Sequence, residues 1–264
     1  MTTTSVHRDK YALYLAGVQN PRNDVRILNE VYSNGPGSIP RVLREDFCGT
    51  GAATCEWVRV RAENHGVGVD NDQEPLLWGH EHLVSNLSVC ERSRVAFVCA
   101  DVLEASCPER PDVIFAGNSS VCSLQTRDRL RAYIHQCYET AAPGGIVAIQ
   151  LFAGPEAQVE GIDRVECDGF TYIWEQHSFN SVTNEAENYI HFEFPEGSDL
   201  WRAFSYSWRM WSPAEILDVF HESGFDHTIV YKSNTKQTSD PGIEQCGSLY
   251  ITGYRDLYVV GFKP

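Results

Sequence analysis

Short apolar runs and longer amphipathic stretches alternate along most of the chain. Runs such as residues 95–99 and 146–152 are continuous and bounded by turn residues, which is typical of buried strands. The stretch 126–140 precedes one of these runs and places its apolar residues at helical spacing. Strands that alternate with helices predict a largely parallel sheet with helices on both of its faces. We therefore expect a Rossmann-like, doubly wound α/β sheet.

Seven runs of this kind predict a seven-stranded sheet. The expected strands cover residues 41–43, 66–70, 95–99, 112–116, 146–152, 225–231 and 257–262.

Two segments depart from this alternation. Residues 8–33 have helical spacing, interrupted at Asn20-Pro21, and predict an N-terminal helical cap. Residues from about 154 to 211 alternate polar with aromatic side chains, as half-exposed antiparallel strands do. The clearest strand segments there are 170–175, 188–194 and 203–209. We expect this stretch to form a small antiparallel β insertion over the carboxyl edge of the sheet, within one domain that spans residues 1–264.

The charge of the chain narrows the range of partners. It has 21 Lys and Arg residues against 36 Asp and Glu residues, a formal net charge of −15, and no basic cluster that would hold a phosphate backbone. We therefore expect no nucleic-acid partner. No apolar run approaches the roughly 18 residues that a membrane span needs, and the first residues lack the apolar core of a signal peptide. We expect no membrane association, which leaves a small molecule as the default partner.

The nine cysteines point to the same kind of protein. Their number is odd, no pair has C-x-x-C spacing, and Cys99 and Cys137 lie among apolar neighbours. This pattern favours reduced cysteines in the cytoplasm and predicts no metal site.

The turn after the first strand is the first candidate site, because ligands of open α/β sheets bind outside the carboxyl ends of the strands. The turn reads Cys48-Gly49-Thr50-Gly51. Its glycines let the backbone approach a ligand closely, and the helix that follows offers free N–H groups. The same glycine pair is also compatible with tight packing alone.

Two acids at strand ends favour a ligand. Asp70 ends the second strand 25 positions after Glu45, near the offset of about 20 at which an acid accepts ribose hydroxyls. Asp101 ends the third strand, where it would bond an adenine amino group while Val102 packs on the ring. The alternatives are that Asp70 caps the next helix and that Asp101 is an ordinary turn acid. Taken together, these strand ends favour an adenosine site.

The choice among adenosine ligands follows from the missing phosphate motifs. The sequence contains neither a G-x-x-x-x-G-K-[ST] loop for a triphosphate nor the full G-x-G-x-x-G spacing for a pyrophosphate. S-adenosylmethionine carries no phosphate. The glycine turn that binds it must therefore let the backbone come close to the cofactor, and it need not bind an anion. We therefore expect S-adenosylmethionine as the cofactor.

Several motifs, taken in order, carry a family resemblance. They are residues 42–51, the acid Asp70, the pair Asp101-Val102 and the turn 142–145. In this order they resemble the motifs of class I S-adenosylmethionine-dependent methyltransferases, over about residues 11–264. The chain is most similar to a group of methyltransferase-domain proteins with a Leu-Arg-Glu-Asp-Phe-Cys-Gly-Thr run, found here at 43–50. That group also shares Val-Gln-x-Pro, here 18–21, and Trp-Arg-x-Trp, here 208–211.

The resemblance implies roles for the residues of the first turn. Glu45 would order the turn, and the backbone at Gly49 and Gly51 would lie alongside the methionine part of the cofactor. Phe47 stands where the family usually has its first glycine.

The resemblance also implies roles at the later strand ends. Asp70 would hold the ribose, with Asn71 beside it. Asp101 and Val102 would hold the adenine, and Asn118 would lie beside the methyl sulfonium.

The candidates for catalysis lie near the fourth strand and in the insertion. Asn118 and Ser119 follow that strand and would position the reacting groups. A base is needed only if the acceptor carries a proton, and the candidates in the insertion are His177, His191, Tyr206 and Glu175.

Aromatic residues offer a binding pocket for the acceptor. Trp174 and Tyr206, together with Arg209 and with Tyr14 of the cap, would surround a cationic or planar group. The alternative is that these rings attach the insertion to the main domain.

The sequence thus predicts an S-adenosylmethionine-dependent methyltransferase that acts on an O, N or S atom of a small molecule. Two alternatives stay open: a nicotinamide-dependent oxidoreductase, and a cofactor-binding partner protein without turnover. The missing third glycine and the turn 143–145 argue against the oxidoreductase. Phe47 at a glycine position keeps the partner protein in consideration.

Overall fold

The computed structural model of the chain describes residues 8–35, 39–233, 243–245 and 256–264. Cys246 lies outside these residues, and the other eight cysteines are free thiols. In the described part, no helix is both long and apolar enough to cross a membrane.

The described residues form seven α-helices, and the N-terminal cap and the stretch 126–140 are helical as predicted. The helices are α1 (Lys10–Gly17), α2 (Pro21–Asn34), α3 (Ala52–Val60), α4 (Gln73–His82), α5 (Val89–Arg92), α6 (Arg127–Thr140) and α7 (Pro213–Glu222). Short 3₁₀ turns cover Val84–Asn86, Ser120–Ser123 and Pro155–Gln158.

The strands form two separate sheets. The strands of the main sheet are β1 (Val42–Asp46), β2 (His65–Asp70), β3 (Val95–Cys99), β4 (Val113–Ala116), β5 (Ile146–Phe152), β10 (His227–Ser233), β11 (Ile243–Gln245) and β12 (Asp256–Phe262). The strands of the second sheet are β6 (Gly161–Cys167), β7 (Phe170–Asn180), β8 (Glu185–Glu193) and β9 (Leu200–Arg209).

The main sheet has the order β11-β10-β12-β5-β4-β1-β2-β3. Strands β1 to β5 pair in parallel, whereas β10 and β12 pair antiparallel. The seven predicted strands are all present, which confirms the Rossmann-like sheet, and the three-residue β11 extends its edge. The strand order reverses between β1 and β4, so the turns after these two strands open a crevice at the carboxyl edge.

The second sheet confirms the antiparallel insertion and adds a strand to it. Its order is β6-β7-β8-β9, and β7, β8 and β9 contain the three segments expected from the aromatic alternation. The fourth strand, β6, was not predicted. Most of its residues are exposed because it forms the sheet edge, so it lacks the alternation of buried and polar positions that marks the others.

Helices cover both faces of the main sheet, and each face has its own core. On one face, buried residues of α2 and α3 such as Leu28 and Trp57 pack against Leu43 and Phe115. On the other face, residues of α6 and α7 such as Ile134 and Phe220 pack against the sheet. Each fully buried side chain of this size contributes about 1.5–3 kcal/mol to stability.

Side-chain caps fix where helices α2 and α7 begin. Asn20 caps α2 by accepting the N–H of Asn23 at 3.2 Å, and Pro21 takes the first helical position. Ser212 accepts the N–H of Glu215 at 3.2 Å, and the Glu215 carboxylate accepts the N–H of Ser212 at 2.9 Å. This reciprocal capping box begins α7.

Candidate functional site

The turn after β1 has left-handed backbone at three alternate positions. The φ angles are +54° at Phe47, +54° at Gly49 and +71° at Gly51. A Cβ atom at Gly51 would lie 2.3 Å from the ring of Phe97, whereas one at Gly49 would have no neighbour within 4 Å. Gly51 is therefore required by packing, and Gly49 leaves open space beside the backbone. Phe47 adopts the conformation that glycine favours, although a side chain there costs roughly 1–2 kcal/mol.

Asp70 ties the end of β2 to this turn. Its Oδ2 accepts the N–H of Gly49 at 2.7 Å, and its Oδ1 accepts the N–H of Asp72 at 2.9 Å. Burial raises the pKa of the Asp70 carboxyl above its ordinary value. Each carboxylate oxygen accepts more than one hydrogen bond, so Asp70 retains acceptor sites for ligand hydroxyls.

Glu45 fixes the turn by bonding the start of α3, the helix that follows it. Its Oε2 accepts both the N–H and the hydroxyl of Thr54, at 2.7 and 2.6 Å. Burial raises the pKa of the Glu45 carboxyl to about 7. Glu45 therefore anchors the first turn of α3 and does not line the cavity described below.

The turn after β4 is also held in unusual backbone. Asn118 and Ser119 have φ angles of +51° and +57°. Gln150 accepts the N–H of Asn118 at 2.8 Å through its side-chain oxygen, and Ser119 Oγ accepts the N–H of Phe152 at 2.6 Å. Two successive non-glycine residues in this region are strained, and such strain persists where surrounding bonds fix it, often at functional sites.

A cavity of about 750 Å³ connects the two turns with the insertion. Its walls include eight of the residues predicted from the sequence. They are Tyr14, Gly49, Asp70, Asn71, Asn118, Ser119, Trp174 and Tyr206. The structure thus brings the ribose candidate, the positioning candidates and most of the acceptor candidates to one space.

Helix α1 covers the cavity and bridges its two sides. Tyr11 lies 5.7 Å from Trp78 of α4 and 5.8 Å from Phe204 of β9, measured between ring centroids. Tyr14 lies 5.0 Å from Phe204, and Asp9 accepts the indole N–H of Trp78 at 2.6 Å. Helix α1 therefore contacts both α4 of the main domain and β9 of the insertion.

Tyr14 and Tyr206 form the polar part of the aromatic wall. The hydroxyls of Tyr206 and Tyr14 share a side-chain hydrogen bond. Burial raises the pKa of Tyr14 to about 12 and the pKa of Tyr206 further above its ordinary value. Both phenols therefore stay protonated near neutral pH, so Tyr206 offers a hydroxyl group to a ligand and not a phenolate base.

Four candidates from the insertion do not line the cavity, namely Glu175, His177, His191 and Arg209. His177 is on the outer face of the second sheet, where its Nδ1 bonds the Glu175 carboxylate at 2.7 Å and its side chain is 51% exposed. Arg209 stacks over Trp211 at 3.9 Å and bonds Glu215 at 3.4 Å, at the start of α7. The structure does not bring either residue to Asn118, because alternate strand positions face opposite sides of a sheet.

Asp101 and Val102 also lie outside the cavity lining. Asp101 bonds Arg129 at 2.9 Å and accepts the N–H of Leu103 at 3.0 Å. Val102 is buried, and its carbonyl accepts a bond from Arg44 at 2.7 Å. Their expected contacts with adenine stay predictions.

The motif residue Arg44 explains how this loop is held. Arg44 lies on β1 and is 1% exposed. Its guanidinium donates hydrogen bonds to the carbonyls of Val102 and Ala105. It also pairs with Asp46 at 2.7 Å, and Asp46 accepts the Tyr133 hydroxyl at 3.0 Å. The Arg-x-Asp part of the motif therefore fixes the loop after β3 and serves structure.

Several cavity residues were missed from the sequence. They are Gln19, Asp24, Gln150, Asp163, Tyr172, Asp256 and Tyr258. Asp24 had a signal, since it shares the buried face of α2 with Leu28 and Val31 at helical spacing, where a lone carboxylate is unusual. The others come together only through strand pairing and helix packing, which a single sequence does not show.

No protein-family model matches the sequence, and no curated protein matches it. The fold, however, is shared with solved S-adenosylmethionine-dependent methyltransferases. The CcbJ methyltransferase of Streptomyces caelestis has a TM-score of 0.68 at 16% identity, over 94% of this chain and 90% of that chain. A methyltransferase described as S-adenosylmethionine-dependent, from Clostridium acetobutylicum, has a TM-score of 0.66 at 17% identity, over 96% and 98%.

A third neighbour was solved with S-adenosylmethionine bound. It is the amino pentose methyltransferase of calicheamicin biosynthesis from Micromonospora echinaspora, with a TM-score of 0.67 at 16% identity, over 98% of this chain and 99% of that chain. At these identities the likeness shows a Rossmann-like methyltransferase fold.

Proposed function

We propose that this chain binds S-adenosylmethionine and methylates a small molecule. One observation carries the proposal: a single cavity joins the Asp70–Gly49 turn, the strained turn at Asn118 and the aromatic wall of the insertion. A cofactor and an acceptor both fit such a space, which lies within the range of about 300–1,000 Å³ typical of small-molecule sites.

The residues at the adenosine end fit this cofactor. Gly49 has open space where a side chain would stand, and the buried hydroxyl of Thr50 lines the same cavity without a hydrogen-bond partner among the described residues. Asp70 would accept hydrogen bonds from the ribose hydroxyls, and the turn at Gly49 would lie alongside the methionine part of the cofactor. When bound there, S-adenosylmethionine supplies a methyl group activated by its sulfonium.

The residues at the other end would hold the acceptor. Asn118 would position the reacting groups, and the Tyr14 and Tyr206 hydroxyls would orient the acceptor by hydrogen bonds. Helix α1 and the second sheet would exclude water, and alignment of this kind supplies much of the rate in a displacement reaction. The fold neighbours support the choice of a small acceptor, because one of them acts on an amino pentose.

Two other functions are weighed against this one. A nicotinamide-dependent oxidoreductase needs a place for a pyrophosphate, and the turn after β1 has only Gly49 and Gly51 of the required glycines. A partner protein without turnover has no need for an acceptor space beside Asn118. The continuous cavity therefore favours the enzyme.

Transfer of a labelled methyl group tests the proposal. The protein is incubated with methyl-labelled S-adenosylmethionine and a small-molecule extract, and products are identified by mass spectrometry. We expect labelled small molecules with the unmodified protein and strongly reduced labelling with Asp70→Ala. Binding of the cofactor without any labelled product would favour the partner protein instead.

A further inference from the structure

Asp24 is a buried acid of the cavity wall that the glycine turn does not use. It lies in the first turn of α2, is 8% exposed and lines the cavity. The positive end of the helix dipole stabilises a carboxylate in a first turn. Even so, carboxylates are seldom buried to this extent unless a positive group lies beside them. The position of Asp24 therefore favours a positive partner.

The contacts of Asp24 within the described residues do not supply that partner. Its Oδ1 accepts the hydroxyl of Tyr258 at 2.8 Å, which is a neutral donor. Arg26, two residues further along α2, pairs with Glu30 at 3.2 Å. Burial raises the pKa of the Asp24 carboxyl to about 6, the Tyr258 bond lowers it, and the charge of Asp256 raises it. The carboxyl is thus largely ionised at neutral pH, and a cation beside it would stabilise this form.

Asp24 lies at the crevice where the strand order of the main sheet reverses. Burial is the largest cause of the raised pKa of Glu45, and the charge of Asp24 contributes to it, so the two carboxyls are near each other. The ring of Tyr258 stacks on Phe115 of β4, with 6.4 Å between centroids and 15° between planes. Asp24 is therefore close to both β1 and β4, the strands whose turns open the crevice.

The cofactor has one group that matches a buried carboxylate at this place. The methionine part, which would lie along the turn at Gly49, carries an α-ammonium group with three N–H donors. The sulfonium is also positive but has no N–H to donate. The ribose hydroxyls are neutral, and Asp70 is the acid at their end of the cavity. Asp24 and Gly49 line the same cavity, so the ammonium is the group that suits Asp24.

We propose that Asp24 binds the α-ammonium group of the methionine part of S-adenosylmethionine. This assignment deepens the proposed function and rests on it. Tyr258 bonds one carboxylate oxygen, and the carboxylate retains acceptor sites for the ammonium N–H groups. Two buried acids from different elements would then hold the cofactor, Asp70 of β2 at the ribose and Asp24 of α2 at the amino-acid end.

Two ligands that differ only in the ammonium group test the assignment without turnover. They are S-adenosylhomocysteine and its deaminated analogue, in which hydrogen replaces the ammonium. Each is titrated calorimetrically into the unmodified protein and into Asp24→Asn. We expect the unmodified protein to bind S-adenosylhomocysteine about tenfold or more tightly than the analogue, because hydrogen bonds between charged groups are strong.

Asp24→Asn should lower the affinity for S-adenosylhomocysteine about tenfold or more and change that for the analogue by less than about threefold. Asparagine keeps the shape of the side chain and an oxygen that can accept the Tyr258 hydroxyl. The matched control is Asp128→Asn, an exposed acid in the first turn of α6 that does not line the cavity, and it should keep both affinities. Thermal melting checks the fold, and Asp24→Ser replaces Asp24→Asn if the latter does not fold.

Three results overturn the assignment. They are equal binding of the two ligands by the unmodified protein, an unchanged affinity of Asp24→Asn for S-adenosylhomocysteine, and an equal loss of both ligands in that variant. The equal loss would mean that Asp24 supports the shape of the site instead of binding the ammonium. In each case the proposed function stands if the unmodified protein binds S-adenosylhomocysteine. If that protein fails to bind S-adenosylhomocysteine, the proposed function itself is wrong.

Discussion

The carboxylate of Asp70 accepts the N–H of Gly49 at 2.7 Å, which joins the end of β2 to the glycine turn after β1. The acid and the turn are therefore parts of one unit, and a ligand at the turn meets both. The two residues are 21 positions apart, close to the offset of about 20 at which an acid follows the glycine turn in dinucleotide sites.

Asp70→Ala should weaken S-adenosylhomocysteine binding by about 1.5–3 kcal/mol, because the ribose loses a charged acceptor and the turn loses its brace. Calorimetric titration of both proteins measures the change. The matched control is Asp218→Ala, since Asp218 is an exposed acid of α7 and does not line the cavity. Equal affinities for Asp70→Ala and the unmodified protein would remove Asp70 from the site.

Phe47→Gly should be more stable than Phe47→Ala by about 1 kcal/mol, because both lose the ring and only glycine relieves the left-handed backbone. The lost ring contact is the one with Tyr133, at 5.6 Å between centroids. Denaturant unfolding compares the two variants. At Glu81, an exposed position in α4, the order should reverse, since alanine is the better helix former there. Greater stability of Phe47→Ala would mean that the turn relaxes and that this backbone is not needed.

Most of the fold was accessible from the sequence, because the buried strands of a parallel sheet form continuous apolar runs. Edge strands such as β6 do not have this signal, and β6 was missed. At the site, strand-end residues such as Asp70 and Asn118 were found because topology brings strand ends together. The sequence did not show which way His177 faces: the pairing of β7 with β8 shifts between Gln176 and Ser178, and His177 lies outside the cavity lining, bonded to Glu175.

Glu45→Gln should flatten part of the pH dependence of stability. Burial raises the Glu45 pKa from 4.5 to about 7, so the folded state holds a proton that the unfolded state releases. A raised acid pKa makes stability fall as pH rises between these values, by about 2 kcal/mol from about pH 5.5 to about pH 7.5. Glutamine has no such titration. Unfolding free energies at both pH values measure the difference between the two proteins, and parallel pH profiles would contradict a buried, proton-holding Glu45.

Trp174→Ala and Tyr206→Ala should lower methyl transfer and leave S-adenosylhomocysteine affinity within about threefold. When two sites share no contacts, a change at one alters the binding free energy at the other by less than roughly half a kcal/mol. Both side chains line the acceptor end of the cavity. Trp201→Ala is the control, since Trp201 is 60% exposed and lies outside the cavity. Thermal melting and cofactor titration are measured on the same samples. A joint loss of stability and cofactor binding would assign these rings to the scaffold.

The central claim is that the cavity holds S-adenosylmethionine, and its most direct test is calorimetric titration of the unmodified protein with S-adenosylhomocysteine and, separately, with NADH. We expect saturable binding of S-adenosylhomocysteine at one site, no binding of NADH, and a higher melting temperature with the first ligand alone. At a hundredfold excess over the dissociation constant, the stabilisation should be about 2.7 kcal/mol. Binding and stabilisation by NADH, with none by S-adenosylhomocysteine, would contradict the account and favour the oxidoreductase.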